Sequence, residues 1–292
     1  MTLSDVLVPW YAQTARDLPW RRQGTTGWGV LVSEIMLAQT PVVRVEPIWR
    51  EWLERWPRPS SMAAAPAAEV LRAWGKLGYP RRALRLHAAA AAIAVEHDDV
   101  VPADVDTLLA LPGIGVYTAR AVAAFAYGRR CPVVDTNVRR VVARAVLGQG
   151  EAGPAAARDL ADTEALLPAD DAGAATMSAA LMELGATVCV ARTPRCPDCP
   201  VLGLCAWQRR GRPAFDGPAK KIQRFAGTDR QVRGRLLDVL RGAPGPVPAA
   251  ALEPAWTTDP AQRARCLDSL LVDGLVEQTA DGRFGLPGEC GT

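Results

Sequence analysis

Lysine is nearly missing from this chain, with 3 in 292 residues, at positions 76, 220 and 221, against 31 arginines. An arginine excess of this kind can reflect a GC-rich genome, but its chemical consequence stands regardless. A reaction that runs through an amine, such as Schiff-base formation, has few residues to draw on. Long apolar runs are also missing: the longest, residues 88–95, is too short to span a bilayer. Residues 1–20 contain no basic stretch followed by an apolar one, so no secretory signal is read. A soluble cytoplasmic protein without a membrane partner is expected. At 49% hydrophobic residues the chain has ample material for one large domain or two to three small ones.

Excess charge is small as well, at +3 overall. Its distribution is uneven. Residues 225–292 carry seven arginines and nine acids, a net of −2, which leaves +5 for residues 1–224. A basic stretch of Arg209, Arg210, Arg212, Lys220, Lys221 and Arg224 holds a single acid, Asp216. Such a patch suits phosphates, although a charge run is often only a solvated face.

What the chain does have is cysteine in one place. Cys189, Cys196, Cys199 and Cys205 fall within seventeen residues at the spacing Cys-x6-Cys-x2-Cys-x5-Cys, with Pro194, Pro197 and Pro200 between them. In a reducing compartment four clustered thiols point to metal rather than to disulfides. The spacing alone fits a cubane iron-sulfur cluster or a single zinc. Cys131, Cys266 and Cys290 are scattered and read as small apolar residues.

Helical periodicity dominates to about residue 187. Residues 69–75, 82–95, 117–127 and 174–185 each place apolar side chains at helical spacing, and Asp106 or Thr107 is expected to cap a short helix before Pro112. The body should therefore be all-helical. Residues 209–226 read as a linker rich in Gly, Pro and basic residues. Beyond it, helices over 231–241 and 260–273 and a hairpin over 275–286 turning at Asp281-Gly282 give the order of a winged helix. The acidic balance of that segment argues against an independent grip on DNA and favours a protein contact or a structural role.

Three further segments carry chemistry. Leu111-Pro112-Gly113-Ile114-Gly115-Val116-Tyr117-Thr118 joins two helices through a turn with two glycines, whose amides suit a backbone phosphate. Asp135, in Val134-Asp135-Thr136-Asn137, stands between an apolar, strand-like run and a basic helix start, where it serves as an N-cap or a functional carboxylate. Glu34 lies inside the apolar helix of Ser33-Glu34-Ile35-Met36-Leu37-Ala38-Gln39-Thr40, and burial there would favour its protonated form.

The helix-hairpin-helix turn at 111–118, Asp135 after it and the four-cysteine loop occur in the order and at the separations that resemble the endonuclease III superfamily of DNA glycosylases. The resemblance covers roughly residues 18–210, and it favours a [4Fe-4S] cluster on the four cysteines. Within the superfamily the chain looks like the adenine DNA glycosylase branch. Ser33-Glu34-Ile35-Met36-Leu37 with Gln39-Thr40 resembles that branch's catalytic-acid helix, Gly75-Lys76-Leu77-Gly78-Tyr79 its base-wedging loop, and Leu18-Pro19-Trp20-Arg21 its early signature. Tyr117 stands where bifunctional relatives carry lysine, and tyrosine supplies no amine, so lyase activity should be weak.

The resemblance implies a two-lobed helix-hairpin-helix glycosylase fold. Its parts would be an N-terminal helix packing with the cluster lobe (1–22), a six-helix barrel lobe (23–131), an iron-sulfur lobe (132–210), a linker (211–228) and a winged-helix-like domain (229–292). It implies a monomer that removes adenine from duplex DNA holding a mispaired or damaged base. Glu34 would be the general acid, Asp135 the stabilising carboxylate, and Tyr117 and Asn137 their positioning partners. Tyr79 and Gln39 would enter the duplex, while Thr40, Leu111, Gly113, Ile114, Gly115 and Thr118 would line it. The cluster would shape a basic loop around Arg192 and Arg195. Three features depart from the branch: Pro80 replaces a second aromatic, Ala38 replaces a glutamine, and no Phe-Ser-His loop of a Nudix-like domain occurs in the roughly seventy residues after the linker. The rival readings are a thymine or uracil mismatch glycosylase on the same scaffold, and a non-enzymatic DNA-binding protein stapled by its cluster.

Overall fold

The computed structural model describes residues 1–215, 217 and 225–290. Lys220, Lys221, Arg224 and Asp216 of the basic stretch lie outside the described residues. The fold is helical, and the described residues hold only two short strands, Glu277–Gln278 and Phe284–Gly285. None of the helices is long and apolar enough to cross a membrane among those residues. The chain forms two compact units, one from residues 1–31, 102–110 and 115–219, the other from 32–101, 111–114 and 220–292.

In the first unit, helix Leu3–Thr14 packs on helix Asp171–Thr187, which also packs on helix Thr136–Ala145. Their shared core is Leu7, Val138, Val142, Met177, Leu181 and Leu184. Polar side chains start these helices: Thr2 and Asp5 form a reciprocal cap, and Asp170 accepts from the Gly173 amide at 2.7 Å. Gly128, at φ +65°, ends helix Val116–Tyr127 in the left-handed conformation. The early signature is explained by its partner. Arg16 and Arg21 grip the buried carboxylate of Glu183 at 2.6 and 2.9 Å, tying the segment after the first helix to Asp171–Thr187. Burial alone would raise that carboxyl, but the Arg16 hydrogen bond and the Arg21 charge outweigh it and hold it low.

Two local expectations are corrected. The cap of helix Val105–Ala110 is Asp104, not Asp106 or Thr107, because its carboxylate accepts from the Thr107 amide and hydroxyl, both at 2.9 Å. The apolar run 131–134 forms no strand, since no partner strand lies beside it among the described residues.

In the second unit, Trp52, Trp56 and Trp74 meet edge-on, with ring centroids 5.0 Å (Trp52–Trp56) and 5.6 Å (Trp52–Trp74) apart. This nexus anchors helices Val42–Arg55 and Ala67–Trp74. Helix Arg81–Glu96 follows, opened by Pro80 at φ −62°, so the proline in place of an aromatic serves as a helix start. The same unit contains the carboxyl-terminal helices Asp229–Gly242, Ala249–Leu252 and Pro260–Val272 and the hairpin, with Glu277 opposite Gly285 and Gly282 turning at φ +83°. The order after residue 228 is helix, short helix, helix and hairpin.

Candidate active site and cysteine loop

Glu34 sits in helix Gly27–Leu37 and is 6% exposed, beside fully buried Ser33. The helix stops where Gln39 turns to φ +63°. Gln39 is exposed, whereas Thr40 is buried and donates to the Leu77 carbonyl at 3.2 Å, so Thr40 ties loop to loop. Tyr79 is 47% exposed and also holds a positive φ, +50°. A positive φ in a bulky residue costs on the order of 1–3 kcal/mol and persists only where neighbours impose it.

The imposing neighbour is Arg82, which sequence reading did not single out. Its guanidinium donates to the carbonyls of Ile35 at 2.7 Å, Met36 at 3.2 Å and Ala38 at the end of the Glu34 helix, to Thr40 Oγ1 at 3.1 Å and to the Gly78 carbonyl at 3.3 Å. It also stacks over the rings of Trp74 and Tyr79 at 5.2 and 5.4 Å. One side chain thus caps the end of the Glu34 helix and holds both exposed loop tips. Burial lowers it to about 10, which still leaves it charged at neutral pH.

The hairpin glycines divide. Gly113, at φ +74°, requires glycine twice over, because a Cβ there would sit 2.6 Å from Arg85 Cβ. Gly115 has an ordinary φ and open space before it, the clearance a ligand needs. Leu111 and Ile114 are buried, 4% and 7% exposed. Tyr117 and Thr118, both half-buried, lie in the first turn of Val116–Tyr127.

Asp135 is an N-cap, with Oδ1 accepting from the Val138 amide at 2.7 Å, but its other oxygen is engaged differently. Asn137 Nδ2 donates to Oδ2 at 2.8 Å, Arg140 donates to Asn137 Oδ1 at 2.7 Å, and Arg140 Nε donates to the Cys189 carbonyl at 2.7 Å. A continuous polar chain therefore runs from Asp135 to the first cysteine. It depends on Gly185, where a Cβ would stand 2.7 Å from Asn137 Cβ and hold the two helices apart.

Cys189, Cys196, Cys199 and Cys205 all line one small, partly open cavity. The described residues contain no group of three His, Cys, Asp or Glu side chains tight enough for a single ion. Burial raises the Cys189 thiol and pushes that of Cys199 up to about 11, so thiolates there require a cation. Arg144, 4% exposed, supplies part of the compensation by donating to Cys189 Sγ at 3.6 Å. It also holds the Val190 and Ala191 carbonyls at 2.8 and 2.9 Å and lies 5.0 Å over Trp207. Arg192 and Arg195 are exposed on the same loop, while Arg210 and Arg212 of the basic stretch are engaged with the Leu147 carbonyl and the Trp207 ring. The signal for Arg140 and Arg144 was their i, i+4 spacing among valines on the helix after Asp135.

Residues 32–162 match the family model described as HhH-GPD superfamily base excision DNA repair protein. Over 290 residues, 99% of this chain and 98% of its relative, the sequence is 66% identical to an adenine DNA glycosylase of Mycolicibacterium smegmatis. A thermostable thymine-DNA glycosylase structure superposes with a TM-score of 0.64 at 25% identity, covering 71% of this chain and 95% of that one. A trapped endonuclease III–DNA covalent intermediate superposes with a TM-score of 0.61 at 22% identity, over 71% and 94%, and shows the fold alone.

Proposed function

The chain belongs to the adenine DNA glycosylases of the HhH-GPD superfamily, and on that footing we propose that it excises adenine paired with 8-oxoguanine or guanine in double-stranded DNA. The observation that carries this reading is end-to-end similarity to an adenine-specific relative, with Glu34 buried on its helix and Asp135 fixed by Asn137. The reaction is hydrolysis of the N-glycosidic bond.

Adenine inside a duplex is out of reach, so it must be turned out at an unstacking cost of a few kcal/mol. Tyr79 and Gln39, exposed on loop tips that Arg82 holds, would fill the space it leaves. Glu34 gives its proton to N7 of the extruded base, which then departs neutral. The sugar left behind has oxocarbenium character, and the Asp135 carboxylate stabilises it, by charge or as a transient bond to C1′, until water adds. Tyr117 and Asn137 position these groups. Tyr117 offers no amine, so the reaction stops at the abasic site. The amides of Gly113 and Gly115 hold a phosphate and carry no sequence information.

The test is single-turnover base release from matched duplexes holding A opposite 8-oxoguanine, A opposite G, T opposite G and U opposite G, with and without alkali. Adenine release with strand breaks only after alkali is expected. Release of T or U instead moves the chain to the mismatch-pyrimidine branch, and duplex binding with no release makes it a non-enzymatic DNA-binding protein.

The four cysteines fit a [4Fe-4S] cluster: they surround one cavity, and Arg144 directs positive charge at one of the sulfurs. Bound there, the cluster supplies a rigid four-thiolate anchor for the loop bearing Arg192 and Arg195. Protein purified in air should be yellow-brown, with broad absorbance near roughly 410 nm and about four irons per chain. A colourless protein with one zinc per chain overturns the assignment.

A further inference from the structure

The carboxyl-terminal helix Asp229–Gly242, with Ala243, Asp273 and Glu289 beyond it, contacts the end of helix Ala67–Trp74 and the loop between Trp74 and Arg81. At the foot of that loop, Arg241 Nε donates to the Leu71 carbonyl at 3.0 Å, and Arg72 donates to the Ala243 carbonyl at 2.9 Å and pairs with Glu289. Along it, Lys76 faces Asp238 at 3.7 Å, and Arg81 meets Asp273 at 3.1 Å, which Arg233 also holds at 2.5 Å. At its tip, Arg230 donates to the Tyr79 hydroxyl at 3.2 Å while lying 5.2 Å over the Phe225 ring. Three of the nine acids of this net-negative segment, Asp238, Asp273 and Glu289, thus pair with basic residues in or beside the loop.

We propose that the carboxyl-terminal domain is a brace for the wedge loop and that Arg230 is the positioning residue that orients Tyr79 for entry into DNA. The positive φ of Tyr79 needs outside constraint. Arg82 provides it at the ring face and at the neighbouring Gly78 carbonyl and does not hold the hydroxyl. The hydroxyl is the one polar point at the far end of the ring, and Arg230 holds it. An exposed pair of this kind contributes little to folding. Its effect should fall on orientation and on the duplex step. The proposal rests on the reading of Tyr79 as the residue that enters DNA, and the experiment separates the two.

The measurement uses full-length protein, duplexes with 2-aminopurine beside the target adenine, and four variants: Arg230→Ala, Arg230→Lys, Tyr79→Phe and the double Arg230→Ala/Tyr79→Phe. Tyr79→Ala serves as the control. Fluorescence reports unstacking independently of chemistry, and single-turnover release reports the outcome. Arg230→Ala and Tyr79→Phe should each reduce the fluorescence rise and the release rate by about threefold, with unchanged melting temperature, and the double should lose no more than either alone. Arg230→Lys should recover most of the loss, since one N–H donor reaches the hydroxyl. Losses that multiply in the double variant would mean that Arg230 touches DNA directly and would sink the brace. A normal Arg230→Ala beside a Tyr79→Ala that fails to unstack would sink it too, leaving the wedge intact. A Tyr79→Ala that unstacks normally removes the wedge reading itself.

Discussion

Glu34→Gln should lower single-turnover adenine release by about 10³- to 10⁴-fold while changing the Kd for mismatched duplex by less than about threefold. Glutamine keeps the shape of a side chain that is 6% exposed, so packing around the helix survives the change. What disappears is the only proton the mechanism delivers to the leaving base. A second substrate isolates that proton. Where carbon replaces nitrogen at ring position 7 of the adenine, the base cannot accept it, so the wild-type enzyme should fall toward the rate of the variant and the substitution should then cost little more. Near-normal turnover by Glu34→Gln, or a full additional loss on the carbon-7 substrate, would remove Glu34 from the general-acid role.

How far the sequence discloses this molecule depends on the range of each interaction. The cysteine loop is readable because its four cysteines lie within seventeen residues, and one cavity collects them. Helices Ala67–Trp74, Arg81–Glu96, Val105–Ala110, Val116–Tyr127 and Asp171–Thr187 are readable from the sequence, with errors at their ends, where an aspartate two or three residues upstream can cap equally well, whereas helix Arg158–Glu164 is not read there. Arg82 is different. Nothing local distinguishes it among Arg81, Arg82 and Arg85, because its acceptors are carbonyls about forty-five residues earlier. Arg144 gives only a faint local sign, its i, i+4 spacing with Arg140 among valines, since its acceptors are carbonyls of the cysteine loop 46 and 47 residues later. The contact of helix Asp229–Gly242 with the end of helix Ala67–Trp74 and the loop after it is beyond any local pattern. Only the net negative charge of residues 225–292, opposite basic residues 162 and 192 positions earlier, hints at an intramolecular partner.

Asp135 is where local and functional readings compete for one side chain, and Asp135→Asn separates them. As the cap of helix Thr136–Ala145, the residue uses one oxygen, accepting from the Val138 amide at 2.7 Å. Asparagine caps nearly as well as aspartate, so that bond survives. The second oxygen accepts from Asn137 Nδ2 at 2.8 Å, and an amide there turns donor toward donor, at a cost of about 1 kcal/mol. The melting temperature should therefore fall by only a few degrees. Catalysis should fall much further. A neutral amide neither offsets developing positive charge on the sugar nor bonds to C1′, so adenine release should drop about a thousandfold with duplex binding nearly unchanged. Asp135→Ala provides the contrast, since it loses the cap as well and should melt lower than Asp135→Asn while releasing adenine no more slowly. A chain in which Asp135→Asn releases adenine normally and only Asp135→Ala is impaired would have Asp135 as a helix cap alone. The polar chain through Asn137 and Arg140 to the Cys189 carbonyl would then hold a helix start in place rather than a catalytic carboxylate.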